Sequence, residues 1–167
     1  MTTTHFRFGL FALLGCIVLA GGGAICTPAH EIIIDNPDSE FSIIAGTWGT
    51  ADTSDGNGCY GPDFRYHFAD TTDVGIARFT PNITAPGPYQ VYIYWSADPN
   101  RTTAQPVIVH ASTGDTTYSV NLQQHGNQWF YLGRHTFSAG TGGYIEFNTD
   151  TADGYCNADA VRLVSDF

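Results

Sequence analysis

Residues 88–96 read Pro-Tyr-Gln-Val-Tyr-Ile-Tyr-Trp-Ser. Tyr89, Val91, Ile93 and Trp95 fall on one face of an extended chain, and Gln90, Tyr92, Tyr94 and Ser96 fall on the other. A period of two is the signature of a half-buried β-strand, because successive side chains of a strand point to opposite faces. A helix would need apolar residues at i, i+3 and i+4, and no stretch beyond residue 29 offers that spacing. The same alternation recurs outward from this strand. Tyr118, Val120 and Leu122 share a face, as do Phe64, Tyr66 and Phe68, Gly75, Ala77 and Phe79, and Val107 with Val109.

Turn-forming residues separate these runs, among them Asn36-Pro37-Asp38, Asp55-Gly56-Asn57-Gly58, Pro86-Gly87-Pro88, Asp98-Pro99-Asn100 and Gly126-Asn127. Strands are expected near 31–35, 41–49, 63–68, 73–80, 88–96, 105–111, 115–122, 128–137, 143–148 and 158–164. Short strands at this spacing, each apolar on one side, bury that side by stacking two sheets. The expected fold is an all-β, antiparallel β-sandwich.

The N-terminus is different. After Arg7, residues 8–25 are apolar or Gly with no charge, and Thr27-Pro28-Ala29 offers small residues for cleavage. Residues 1–29 read as an N-terminal hydrophobic signal peptide and residues 30–167 as one domain. Alternatives are lipidation at Cys16, within Leu13-Leu14-Gly15-Cys16, or retention of the run as an anchor. The expected location is secreted or at the cell surface, with no membrane insertion of the mature domain.

Charge narrows the partners. Sixteen acidic residues face six basic ones, giving a net charge of -10, and every basic residue is Arg. Nucleic-acid binding requires clustered cations, so it is excluded as a class. Beyond residue 29 two cysteines remain, Cys59 and Cys156, each in a loop rich in Gly and Tyr. An even count in an exported chain reads as a disulfide, which would close a long loop and contribute roughly 4–5 kcal/mol in the chain-entropy model. The rival reading is a metal pair or reactive thiols.

Several segments in order carry a family pattern: Glu31-Ile-Ile-Ile-Asp35-Asn36, Gly46-Thr-Trp48, Tyr60-Gly61 with Phe64-Arg65-Tyr66, Ala77-Arg78-Phe79-Thr80-Pro81, Asn100-Arg101-Thr102-Thr-Ala104, Gln128-Trp129 and Ala158-Asp159-Ala160-Val161-Arg162. In this order the chain resembles the golvesin C-terminal-like domain, also described as the xanthan-lyase carbohydrate-binding-like domain. The resemblance covers nearly all of residues 30–167. It implies a jelly-roll-like β-sandwich serving as a non-catalytic accessory module of secreted proteins.

Candidate ligand-binding residues follow from the strand pattern. Tyr92 and Tyr94 lie two apart on the polar face of 88–96, where flat rings can stack on sugars while the phenol hydroxyls bond sugar hydroxyls. The alternative is cross-strand packing. Tyr60 and Tyr155 would meet at one end of the sandwich if Cys59 and Cys156 were bonded. Trp48, Trp95 and Trp129 read as core residues, two of them through the family pattern. Asp35 and Asp159 end the first and last expected strands. Two buried like charges need compensation, and a structural Ca²⁺ with Asp38, Asn36 or Asn157 as further oxygen ligands would supply it. Otherwise Asp159 pairs with an Arg and Asp35 makes turn hydrogen bonds. Arg65, Arg101 and Arg162 could hold an acidic sugar or pair internally. His110 and His135 could lie on neighbouring strands. Asn82 and Asn100 head glycosylation sequons, relevant only in a host that glycosylates exported chains.

No nucleophile elbow, zinc-protease helix or phosphate loop is present in the sequence. The acidic residues Glu146, Asp150, Asp153 and Asp159 cluster late, which keeps a paired-carboxylate hydrolase as a weak third option. The leading expectation is a secreted, non-catalytic module binding extracellular polysaccharide. The second is a self-associating surface or filament subunit, using exposed sheet edges as docking points.

Overall fold

The computed structural model of the chain describes residues 30–52, 58–68 and 72–166, together with the backbone of two short stretches, β1 (Leu14–Ile17) and β2 (Ile25–Pro28), which pair antiparallel. The signal-peptide reading of residues 1–29 otherwise lies outside the described residues. Twelve further strands follow: β3 (Glu31–Asp35), β4 (Phe41–Ala45), β5 (Gly49–Asp52), β6 (Asp63–His67), β7 (Ile76–Phe79), β8 (Gly87–Tyr94), β9 (Gln105–Ala111), β10 (Gly114–Val120), β11 (Phe130–Phe137), β12 (Tyr144–Asn148), β13 (Cys156–Ala158) and β14 (Ala160–Ser165). There is no helix among the described residues.

The strands form a five-stranded sheet in the order β10-β9-β12-β7-β4 and a four-stranded sheet in the order β11-β8-β14-β3. A three-stranded sheet, β13-β6-β5, completes the domain. All pairings between these strands are antiparallel. The chain passes repeatedly between the two larger sheets, as a jelly-roll-like sandwich requires.

The core forms where the alternation says it should. Tyr89, Val91 and Ile93 of β8, Val161 and Leu163 of β14, and Ile34 of β3 are buried from one sheet. Ala77, Phe79, Val107, Val109, Ile145 and Phe147 meet them from the other. Each fully buried side chain of this size contributes roughly 1.5–3 kcal/mol of hydrophobic stabilisation. Trp95 is 1 % exposed, and its indole N–H donates to the Leu122 carbonyl at 3.2 Å, so its one polar atom is satisfied inside the core.

Two expected strands are each divided in two. The run 41–49 breaks into β4 and β5 because Gly46 takes φ 78° and the Trp48 indole folds back to donate to the Ala45 carbonyl. The closing run breaks at Asp159, so that β13 joins the three-stranded sheet and β14 the four-stranded one. The pattern in β6 also departs from expectation at its end. His67 is buried against Trp48, with ring centroids 5.3 Å apart, whereas Phe68 is exposed.

Candidate functional site

The outer face of the four-stranded sheet is built from the polar-side positions of its strands. Gln90, Tyr92 and Tyr94 project from β8, and Tyr92 stands opposite Tyr131 of β11 and opposite Arg162 of β14. The Tyr92 and Tyr131 rings are 5.3 Å apart, and Tyr131 is 50 % exposed. A register shift in β11 between Tyr131 and Gly133 accompanies the change of facing, with Tyr131 outward and Leu132 buried.

Trp129, just before β11, continues the row. Its ring lies 5.4 Å from Tyr94 and 5.0 Å from Tyr60, and Tyr60 lies 5.7 Å from Tyr94. Arg162 spans the two ends, with its guanidinium 5.5 Å from the Tyr92 centroid and 5.9 Å from that of Trp129. The same guanidinium donates to Glu31 Oε1 at 2.5 Å, which holds it beside the rings. Tyr92 Oη donates to Gln90 Oε1 at 2.6 Å. Burial pushes the Tyr60 and Tyr94 phenols up from their ordinary value, so both keep their protons at neutral pH. The result is a partly exposed aromatic row with hydroxyl donors and a neutralised cation at its edge.

The period of two places Tyr92 and Tyr94 on the outer face, where Tyr92 also makes the cross-strand packing weighed as the alternative. Trp129, read as core, is partly exposed and lies outside the core cluster. Trp129 lies outside any strand, so no alternation constrains its side chain. Tyr131 was missed too, because Trp129-Phe130-Tyr131-Leu132 is apolar or aromatic throughout and shows no period of two. Tyr60 joins the row because its backbone N–H donates to both Asp159 carboxylate oxygens at 3.2 Å, which ties its loop to the start of β14.

Tyr155 does not join Tyr60. Its ring packs 6.0 Å from Tyr66 and 5.0 Å from Phe68. The expected link between the two tyrosines is absent as well, since Cys59 and Cys156 are both free thiols. Cys156 sits on β13 opposite His67, and its sulfur faces the Gly154 carbonyl, whereas that of Cys59 faces the Gly61 carbonyl. Burial first, and neighbouring carboxylates second, push the two thiols up to about 12 and about 11. Neither is a reactive thiolate at neutral pH.

Asp35 and Asp159 come within each other's field, and Asp63 acts on both. Asp159 is fully buried, and desolvation raises its carboxyl to about 8. Desolvation likewise raises Asp35 to about 7, against a lowering hydrogen bond from the Asn36 N–H. Of the oxygens considered for a calcium site, Asn36 Oδ1 and Asn157 Oδ1 are buried without a hydrogen-bond partner, whereas Asp38 is engaged. Asp38 Oδ2 accepts from the Asp35 N–H at 2.8 Å, and the Asn157 amide donates to Ser96 O on the β8 side. Among the described residues no three His, Cys, Asp or Glu side chains are placed to hold a metal ion. A proton on Asp159 would relieve the like charges, and so would a cation held by these carboxylates. Of the simpler pairings, Asp35 makes its turn hydrogen bonds, but Asp159 takes the Tyr60 N–H and not an Arg.

The remaining candidates disperse. His135 bonds the Tyr118 hydroxyl at 2.9 Å from the four-stranded sheet, while His110 pairs with Asp115 at 2.9 Å in the five-stranded sheet. Glu146 pairs with Arg78 at 3.0 Å, and Asp153 bonds the Thr102 and Thr103 hydroxyls at 2.6 Å each. Those bonds hold the Asp153 carboxyl down at about 2. Glu146, Asp153 and Asp159 thus take separate partners. Asn82 and Asn100 are both exposed.

A family model described as the Golvesin C-terminal domain matches residues 32–165. The chain is 35 % identical over 138 residues to a xanthan lyase of Bacillus sp. (strain GL1), covering 81 % of this chain and 15 % of that protein. The solved structure of a Paenibacillus xanthan lyase superposes with a TM-score of 0.74 at 40 % identity, covering 81 % of this chain and 13 % of that one. The chain therefore spans about 15 % of the length of the curated relative it matches. With the sandwich, its sheet order and a match across 32–165 all in agreement, the chain belongs to the Golvesin C-terminal domain family.

Proposed function

We propose that this domain is a non-catalytic module of the extracellular space that binds polysaccharide along the outer face of its four-stranded sheet. The observation that carries the reading is a pair of rings, Tyr131 and Tyr92, 5.3 Å apart, and a trio, Tyr94, Trp129 and Tyr60, 5.0–5.7 Å apart, with the Arg162 guanidinium between them on the same side of the sheet. Apolar faces of pyranose rings stack on such rings, and the phenol hydroxyls bond the sugar's hydroxyls. A run of rings along one face suits a chain of sugars better than a single small molecule. Likeness to a small part of two xanthan lyases favours a substrate-holding role beside an enzyme, with xanthan-type polysaccharide the first ligand to try.

Affinity electrophoresis in gels containing xanthan tests this. Native protein is expected to be retarded, and Tyr92→Ala combined with Trp129→Ala is expected to migrate as in an empty gel. Equal retardation of both proteins would remove the platform from the reading.

A second reading, self-association, is favoured by β4. It is an edge strand of the five-stranded sheet and carries Ile43 and Ile44, which are 40 % and 48 % exposed. Exposed apolar edges are templates for pairing with another chain.

A further inference from the structure

A separate cavity of about 400 Å³ opens where the three-stranded sheet meets the loop following β8. It shares no residue with the aromatic row. Phe64 and Tyr66 of β6, Tyr155, Asp98, Asn100 and Arg101 are among its lining residues. Phe64 and Arg101 are 2 % and 9 % exposed, so the lining is rooted in the protein and is not a surface wrinkle.

Its polar side is preorganised. The Asp98 carbonyl accepts from the Arg101 N–H at 3.0 Å, and Asp98 Oδ1 accepts from the Asn100 N–H at 2.9 Å, closing a tight turn. Arg101 Nε donates to Ser96 O at 3.3 Å, Nη1 donates to Asn100 Oδ1 at 2.7 Å, and the guanidinium lies 5.4 Å from the Phe64 centroid. Asp153 pins the next two residues through Thr102 and Thr103. An isolated parallel bridge joins Arg101 to Tyr155, so the aromatic wall and the polar wall are hydrogen-bonded to each other.

We propose that this cavity is a second sugar-binding site, taking one neutral pyranose unit end-on. The inference rests on the glycan-binding reading above but concerns a different surface. Cavities of this size hold small ligands. The Tyr155 and Tyr66 rings supply apolar faces, the Asp98 carboxylate and Asn100 amide oxygen accept from sugar hydroxyls, and Arg101 donates. A neutral sugar is expected over a uronic acid, because Arg101 Nε and Nη1 already donate to Ser96 O and Asn100 Oδ1. A module with a long platform and an end pocket would engage both the run of a polysaccharide and a chain end or side branch.

Amide-resolved NMR titrations with methyl β-D-glucoside, methyl α-D-mannoside, methyl β-D-galactoside and D-glucuronate test it, with xanthan retardation measured on the same proteins. At least one neutral glycoside is expected to shift the amides of 98–101 and 154–155, more strongly than glucuronate. Tyr155→Ala should weaken that response about tenfold, the value of one lost stacking contact. Tyr155→Phe, which keeps the ring and the fold, should leave it within about twofold of native. Tyr92→Ala with Trp129→Ala should leave it unchanged while abolishing gel retardation, which separates failure of the pocket from failure of the platform. The proposal is overturned if no neutral glycoside shifts these amides, if glucuronate shifts them most, or if the shifts fall only on the aromatic row.

Discussion

Asp159 shows how one buried carboxyl organises its surroundings. Its backbone carbonyl accepts from the Asn36 N–H at 2.9 Å, and its side chain accepts from the Tyr60 N–H. It thereby joins the end of β3, the Tyr60 loop and the start of β14. An acid with a folded pKa raised from 3.8 to about 8 holds its proton more tightly when folded than when unfolded. Asp35, raised to about 7, behaves the same way. The stabilisation tied to these protons is fully present below about 3.8, falls as pH rises through the window to about 8, and is gone above it. Thermal melts in calcium-free buffer should therefore show a midpoint that declines from pH 5 to pH 9 on this account. Asp159→Asn, which carries no charge at any pH, should flatten the decline. A profile unchanged by the substitution, or a midpoint raised by added calcium, would contradict protonation as the way this pair is relieved. At the same scale, Leu163→Ala removes a fully buried side chain between the sheets and should cost about 2–5 kcal/mol in urea unfolding.

Among the elements, β8 was legible in the sequence, although the strand ends at Tyr94, two residues before the expected end at 96. Eight residues with strict alternation and a Pro-Gly-Pro entry leave one strand assignment, and its two faces have separate fates in the fold. Harder to read were elements whose neighbours lie far away in sequence. The three-stranded sheet pairs β6 with β5 and with β13, some ninety residues on, and no local pattern encodes that choice. The split at Gly46 depends on a positive φ that glycine permits and does not impose. Among site residues, Tyr92 and Tyr94 follow from period two, whereas Trp129 and Tyr60 sit in loops placed by tertiary contacts. The Asn100-Arg101-Thr102-Thr103 loop has a clear physical anchor in Asp153. Asp153→Ala should speed amide exchange at Thr103, whose N–H donates to Asp153 Oδ1 at 2.7 Å, while leaving exchange in β8 unchanged. Faster exchange spread across β8 would show that the anchor supports the whole sandwich and not the loop alone.

At the level of the whole molecule, net charge and surface chemistry pull in different directions. A net charge of -10 sets copies of the domain against each other, and the exposed β4 edge invites pairing. Charge repulsion is strongest at low ionic strength. The domain should elute as a monomer in light-scattering chromatography at low salt, and a mass that rises with protein concentration there would favour the filament reading. The glycan-binding reading makes a spatial demand that self-association does not. Xanthan oligosaccharides should contact the aromatic row and leave the opposite, five-stranded sheet untouched. NMR titration of the domain with such oligosaccharides is the most direct measurement. Shifts centred on β8, on 128–131 and on the Tyr60 loop are the expected result, and shifts confined to β9, β10 and β12 would contradict the platform.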